Sequence, residues 1–206
     1  MGAALAKALG CPFVDADDLH PQTNIDKMSA GEPLTDADRW PWLVDVRRTA
    51  LKVAEGDSAE GTACAVVACS ALKVRYREVL RGKLLELDST INPDCGFASG
   101  SRYGGEHPQN VRRGSSPLST WRTFFVHPFG RREVLLERMM TRKSHFMGAN
   151  MLTSQLDALE NPSGTGEADV VPVELTERVD EQVRIALEGL TAFGAVKVSD
   201  TRMSST

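Results

Sequence analysis

Long apolar runs are missing from this 206-residue sequence, and none approaches the ~18 residues of a membrane-crossing helix. Strong charge of either sign is missing as well. A formal net charge of −4 offers no basic footprint for nucleic acid or an anionic membrane. Cys11, Cys64, Cys69 and Cys95 are scattered without a C-x-x-C pair, which excludes the usual redox and zinc spacings and favours reduced thiols. The four histidines show no metal-ligand spacing either. The opening "MGAALAKALG" has neither the basic flank nor the apolar length of a signal peptide. These absences predict a soluble, cytoplasmic protein that engages neither nucleic acid nor membrane.

What is present suits one globular domain, with 41% hydrophobic and 25% charged residues. Residues 3–9, "AALAKAL", are strong helix formers stopped by Gly10. Pro12 to Val14 then reads as a short buried strand that ends in the acids Asp15, Asp17 and Asp18. Turn chemistry follows at Gly31-Glu32-Pro33, and Asp36 or Asp38 is placed to cap a helix with Leu43, Val46, Ala50 and Val53 as its inward stripe. "CAVVACS" is the continuous apolar run of a strand covered on both faces, with Ser70 placed to cap the next helix. From Leu84 to Thr123 the periodicity vanishes and Gly, Ser, Pro and Asn accumulate, as in an insertion.

Strand character returns at "TFFVH", followed by helices near 131–145 and in "ANMLTSQLDALE". "ADVVPVE" is a strand whose Pro172 demands an edge or a bulge. A last helix should bury Val179, Val183, Leu187 and Leu190. Alternating strands and helices predict a parallel α/β sandwich.

Ligands of such sheets bind beyond the carboxyl ends of the strands. Three polar groups fall there: Asp15 to His20, Cys69-Ser70 with Lys73, and the segment after "TFFVH". In that segment Arg138, Arg142 and His145 share one helical face, opposite Leu135 and Met139. Two arginines so placed suit phosphate oxygens. Paired acids, which can orient an alcohol and hold Mg²⁺, complete the requirements of phosphoryl transfer.

The blocks "DADDLHPQTNIDKMSAGEPLTDADRWPWL", "CSALKVRYREVLRGK", "LLERMMTRKSHFM" and "MLTSQLDALENP" resemble, in order, the signature blocks of the gluconokinase family. The resemblance implies a P-loop kinase fold, a three-layer parallel sheet flanked by helices, and ATP-dependent phosphorylation of D-gluconate at O6. It implies Asp15 as organiser of Mg²⁺ and Asp17 as the substrate-binding base. His20, Lys27, Arg39 and Lys73 fall at substrate-side positions, and Arg138 and Arg142 at lid positions that approach the ATP phosphates. His145, Phe146, Ser154 and Gln155 fall in the same blocks without an assigned role. A homodimer is a further implication.

One departure concerns the phosphate loop. No G-x-x-x-x-G-K-[ST] occurs in the sequence, and residue 1 aligns just after the position of that loop in the family. The expectation is a chain lacking the family's first strand and Walker A turn. Its parts would be a kinase portion with the substrate segment (1–83), an irregular insertion (84–123), the lid and closing portion (124–193) and a tail (194–206). A second reading is a catalytically dead paralogue that binds sugar acid or a partner subunit.

Overall fold

The structure, a computed structural model, describes residues 1–56, 63–83, 121–141 and 149–196. Arg142, His145, Phe146 and Cys95 lie outside these, as does all of the predicted insertion except 121–123.

Helix α1 (Gly2–Leu9) stops at Gly10, whose φ of 63° is the left-handed cap that glycine adopts without strain. It leads to β1 (Phe13–Asp15), a 3-10 helix (Ala16–Leu19) and α2 (Gln22–Ser29). Helix α3 (Asp36–Gly56) is followed by β2 (Val66–Ala68) and α4 (Val74–Arg81). After these come β3 (Phe125–Phe129), α5 (Arg132–Thr141) and α6 (Ala149–Ala158). A second 3-10 helix (Pro162–Gly164), β4 (Val170–Glu174) and α7 (Val179–Ala192) complete the order. Sequence reasoning had no helix at α2.

All observed strand pairing is parallel, as predicted, but it falls into two separate pairs. β1 lies beside β2 with Val14 opposite Val67, and β3 beside β4 with Val126 opposite Val171. Among the described residues each strand therefore has one partner, and one edge of each remains open. Pro172 sits on such an edge strand, where its missing N–H interrupts no second ladder. The single pairing also corrects the burial expected of the first two strands. Phe13 is 39% exposed and Val66 to Ala68 are only half-buried, because neither strand is enclosed by neighbours on both sides.

Two apolar cores match the two pairs. One gathers Ala16, Trp42, Leu43, Val46, Leu72, Tyr76 and Val79 beneath α3 and α4. The other joins Leu5 of α1 to Val171, Val173, Ala186 and Leu190, with Val66 and Val126 packed against it. α1 thus contacts both strand pairs.

The predicted stripe of α7 holds at Leu190 and, half-buried against the same core, at Val183 and Leu187, but fails at Val179, which is exposed. Gln182 and Ala186 are buried as well. The helix approaches β4 at Gly189, where a Cβ would stand 2.6 Å from Val171 Cγ1. Gln182 Nε2 donates to the carbonyls of Glu174, Leu175 and Glu177, which turn away from the strand end. A buried amide serving three carbonyls fixes the facing side of the helix. In α3 the buried line likewise includes Arg39 and Arg47 and ends on Ala54 rather than Val53.

Candidate active site

At the carboxyl end of β1 the chain turns immediately into the 3-10 helix. The Asp15 carboxylate caps that turn, accepting from the Asp17 backbone N–H at 3.2 Å. Ala16 is fully buried, and its carbonyl accepts the Trp42 indole N–H at 2.8 Å. Trp42 also stacks on His20, with ring centroids 4.1 Å apart and planes 14° from parallel. Helix α3 thereby fixes the height at which the acid pair leaves the strand.

Asn24 Nδ2 lies 3.4 Å from His20 Nδ1 and donates to the Asp38 carbonyl at 3.0 Å. With Nδ1 accepting from the amide, the His20 proton resides on Nε2. Burial, and then the nearby Arg39 charge, push the His20 pKa down to about 4, so the ring is neutral at physiological pH. Arg39 is itself buried and lies 5.9 Å from the centre of the Tyr76 ring.

A cavity of about 320 Å³ opens over these groups. Asp15, Asp17, His20, Arg39, Cys69 and Ser70 line it from the β1–β2 side, with Leu135, Arg138, Leu152 and Gln155 opposite. Leu135 and Arg138 therefore share the cavity face of α5, which corrects the expectation that they lie on opposite sides. Arg138 is exposed and also donates to the Leu175 carbonyl. Burial pushes the Cys69 thiol up to about 12, so it forms an inert wall.

Lys27 and Lys73 are not among the lining residues. Lys27 pairs with Asp38 at 2.6 Å, and Lys73 with Asp36 at 2.7 Å. Asp38 also accepts from the Thr35 backbone and hydroxyl, at 2.9 and 2.7 Å, and its own N–H donates back to Thr35 Oγ1. That is a capping box with Thr35, not Asp36 or Asp38, as the cap. Lys27 first and Thr35 second hold the Asp38 carboxyl at about 2. Asp36 accepts from Lys73, Tyr76 and Arg75, the first two being the main causes of its lowered pKa.

Ser70, expected as a helix cap, lines the cavity instead. Lys73 is the cap residue of α4 and makes no side-chain cap of its own. Trp42 and Leu152 are further lining residues that no sequence motif assigns to the site, and Gln155, which falls in a family block without an assigned role, lines it beside them. For Trp42 the signal was its position one turn beyond Arg39.

Among the described residues no group of three or more His, Cys, Asp or Glu could cage a metal. Two carboxylates at the cavity do fit Mg²⁺ arriving on phosphates, since that ion keeps much of its shell as water and phosphate oxygens.

No family model matches the chain. Individual relatives do. It is 34% identical over 173 residues to a probable gluconokinase of Schizosaccharomyces pombe, covering 84% of this chain and 71% of that protein. It is 39% identical over 163 residues to a probable gluconokinase of Xenopus tropicalis, covering 79% and 72%. The chain belongs to the gluconokinase family. A crystal structure of a gluconokinase from Sinorhizobium meliloti 1021 overlays with a TM-score of 0.62 at 36% identity, covering 93% of this chain and 83% of that one. Kinase chemistry on a nucleotide, on an α/β kinase fold, follows from family membership. Among the described residues no helix is long and apolar enough to cross a membrane.

Proposed function

We propose that the chain phosphorylates D-gluconate at O6, using ATP and Mg²⁺. The observation that carries this reading is the single cavity shared by Asp15, Asp17, His20 and Arg39 on one side and Arg138 on the other. A polyhydroxy carboxylate suits the first wall. The buried Arg39 guanidinium provides the cation for its carboxylate, and neutral His20 offers an Nε2–H to a hydroxyl. Asp17 orients and deprotonates the attacking O6 hydroxyl. Asp15 holds Mg²⁺, which when bound neutralises charge on the phosphates. Arg138 meets the transferring phosphoryl group from the lid side. Lys27 and Lys73 act behind this wall through their ion pairs with Asp38 and Asp36.

No glycine lines the cavity among the described residues, so a backbone cradle for the nucleotide phosphates is not part of the described wall. The test is an assay of D-gluconate with ATP and Mg²⁺. 6-Phosphogluconate formation should require ATP. Asp17→Asn should lower kcat by roughly 10²–10⁴-fold, as loss of a positioned acid–base group does, with little change in gluconate KM. Near-normal turnover by Asp17→Asn would remove Asp17 from the chemistry.

A further inference from the structure

Helix α4 has no N-terminal cap from its own neighbourhood. Its first amide, Val74 N–H, donates instead to Glu160 Oε2 at 2.6 Å, across 86 residues of sequence. Glu160 follows α6, the helix that places Leu152 and Gln155 at the cavity. Two backbone bonds complete the attachment: Glu160 N–H donates to the Leu72 carbonyl at 2.9 Å, and the Glu160 carbonyl accepts from Arg77 Nη2 at 2.9 Å. Arg77, 1% exposed, also donates through Nη1 to the Ala71 carbonyl at 2.8 Å and the Leu72 carbonyl at 3.2 Å.

The turn held in this way is strained. Ala71 has a φ of 37°, the only positive value outside glycine among the described residues. A non-glycine residue in that region persists only where its surroundings over-determine it. The turn follows directly on Ser70, which lines the cavity. One carboxylate and one arginine thus tie the root of α6 to the turn that presents Ser70.

We infer that Glu160 is a positioning residue, the joint that fixes the Ser70–Lys73 turn against the root of α6 so that both walls of the cavity keep their spacing. It touches no substrate. This inference deepens the gluconate reading and rests on it for its functional arm.

Two variants and two readouts test it. In Glu160→Ala the cap is lost, whereas Glu160→Gln keeps an oxygen acceptor. Amide hydrogen exchange in the ligand-free protein should rise about tenfold at Val74 to Arg77 in Glu160→Ala, the scale of one lost cap, and should rise at Gln155 as well. Glu160→Gln should stay within about threefold of wild type, a neutral acceptor being weaker but present. D-gluconate titrated against tryptophan fluorescence, with Trp42 at the cavity as reporter, should bind about tenfold more weakly to Glu160→Ala and be largely rescued in Glu160→Gln.

Unchanged gluconate affinity in Glu160→Ala overturns the inference, as does equal damage from both variants. So does faster exchange confined to α4, since the joint would then not reach α6. If the wild type itself shows no response to gluconate, the substrate reading fails. The exchange at Gln155 still decides whether the joint exists.

Discussion

Trp42→Phe should cost about 3 kcal/mol, a sum of two terms. The indole N–H is the partner of the Ala16 carbonyl at 2.8 Å, and Ala16 has no exposed surface through which water could substitute. Leaving that carbonyl unpaired costs about 1–3 kcal/mol. The smaller ring also leaves space in a core where Trp42 is 2% exposed and packs with Leu43, Val46 and Tyr76, adding about 1 kcal/mol. Phe preserves a stacked face for His20, so the loss should register as stability rather than as a rotated imidazole. Equilibrium urea unfolding measures it: the midpoint should fall while the slope stays the same. Gluconate affinity should fall by less than about tenfold, because the 3-10 helix bearing Asp17 loosens without being lost. A change below about 1 kcal/mol would show that the Ala16 carbonyl finds another partner and that Trp42 does not set the height of the acid pair.

Two further substitutions probe packing and protonation. Gly189→Ala should destabilise by about 1–2 kcal/mol despite alanine's better helix propensity, because its Cβ would press on Val171 at 2.6 Å from two methyls; an unchanged melting temperature would mean that α7 simply lifts away. For His20 the folded pKa of about 4 lies below the ordinary 6.5, so between those values the unfolded chain binds the extra proton and stability falls as pH drops. His20→Phe should flatten the 6.5-to-4 limb of the stability profile relative to wild type, and identical slopes would place the ring in water.

The elements that sequence reasoning located were those whose neighbours are local. Gly10 and Gly82 both end helices in the left-handed conformation, and the D-x-D after β1 does stand at a strand's carboxyl end. What it misjudged depends on partners far along the chain. The cap of α4 comes from Glu160, 86 residues further along the chain, and not from Ser70. Lys27 and Lys73 illustrate the same limit. A lysine in a substrate motif reads as a ligand, and only the folded chain shows that Lys27 also pairs with Asp38 and Lys73 with Asp36. Residue type indicates what a side chain is able to do, while long-range geometry decides what it is left to do.

The cavity has one wall on the β1–β2 side and the other on α5 and α6, and Glu167 ties the first half of the chain to the second. Its carboxylate accepts from Arg77 Nε and Nη2 and from Arg81 Nη2, each at 3.1 Å or less. Its side chain is 9% exposed, against 2% for Arg77 and 7% for Arg81. The two arginines belong to α4, whereas Glu167 leads into β4. Arg77 chiefly, with Thr165 and Arg81 after it, holds the Glu167 pKa at about 2 against an ordinary 4.5. A depression of that size corresponds to about 3 kcal/mol, present in full above pH 4.5 and lost as pH falls through 2, since below 4.5 the unfolded chain takes the proton first. Glu167→Gln removes the charge and leaves Arg77 buried without its anion, so at neutral pH it should cost about 3–5 kcal/mol. Below pH 4.5 the gap between wild type and variant should narrow steadily. Thermal unfolding from pH 7 to pH 3 measures both, with gluconate-induced fluorescence change at pH 7 reporting on the cavity. A gap that stays constant with pH would show that Glu167 contributes packing alone. A variant as stable as wild type would shift the joining of the two halves to the α1 core around Leu5.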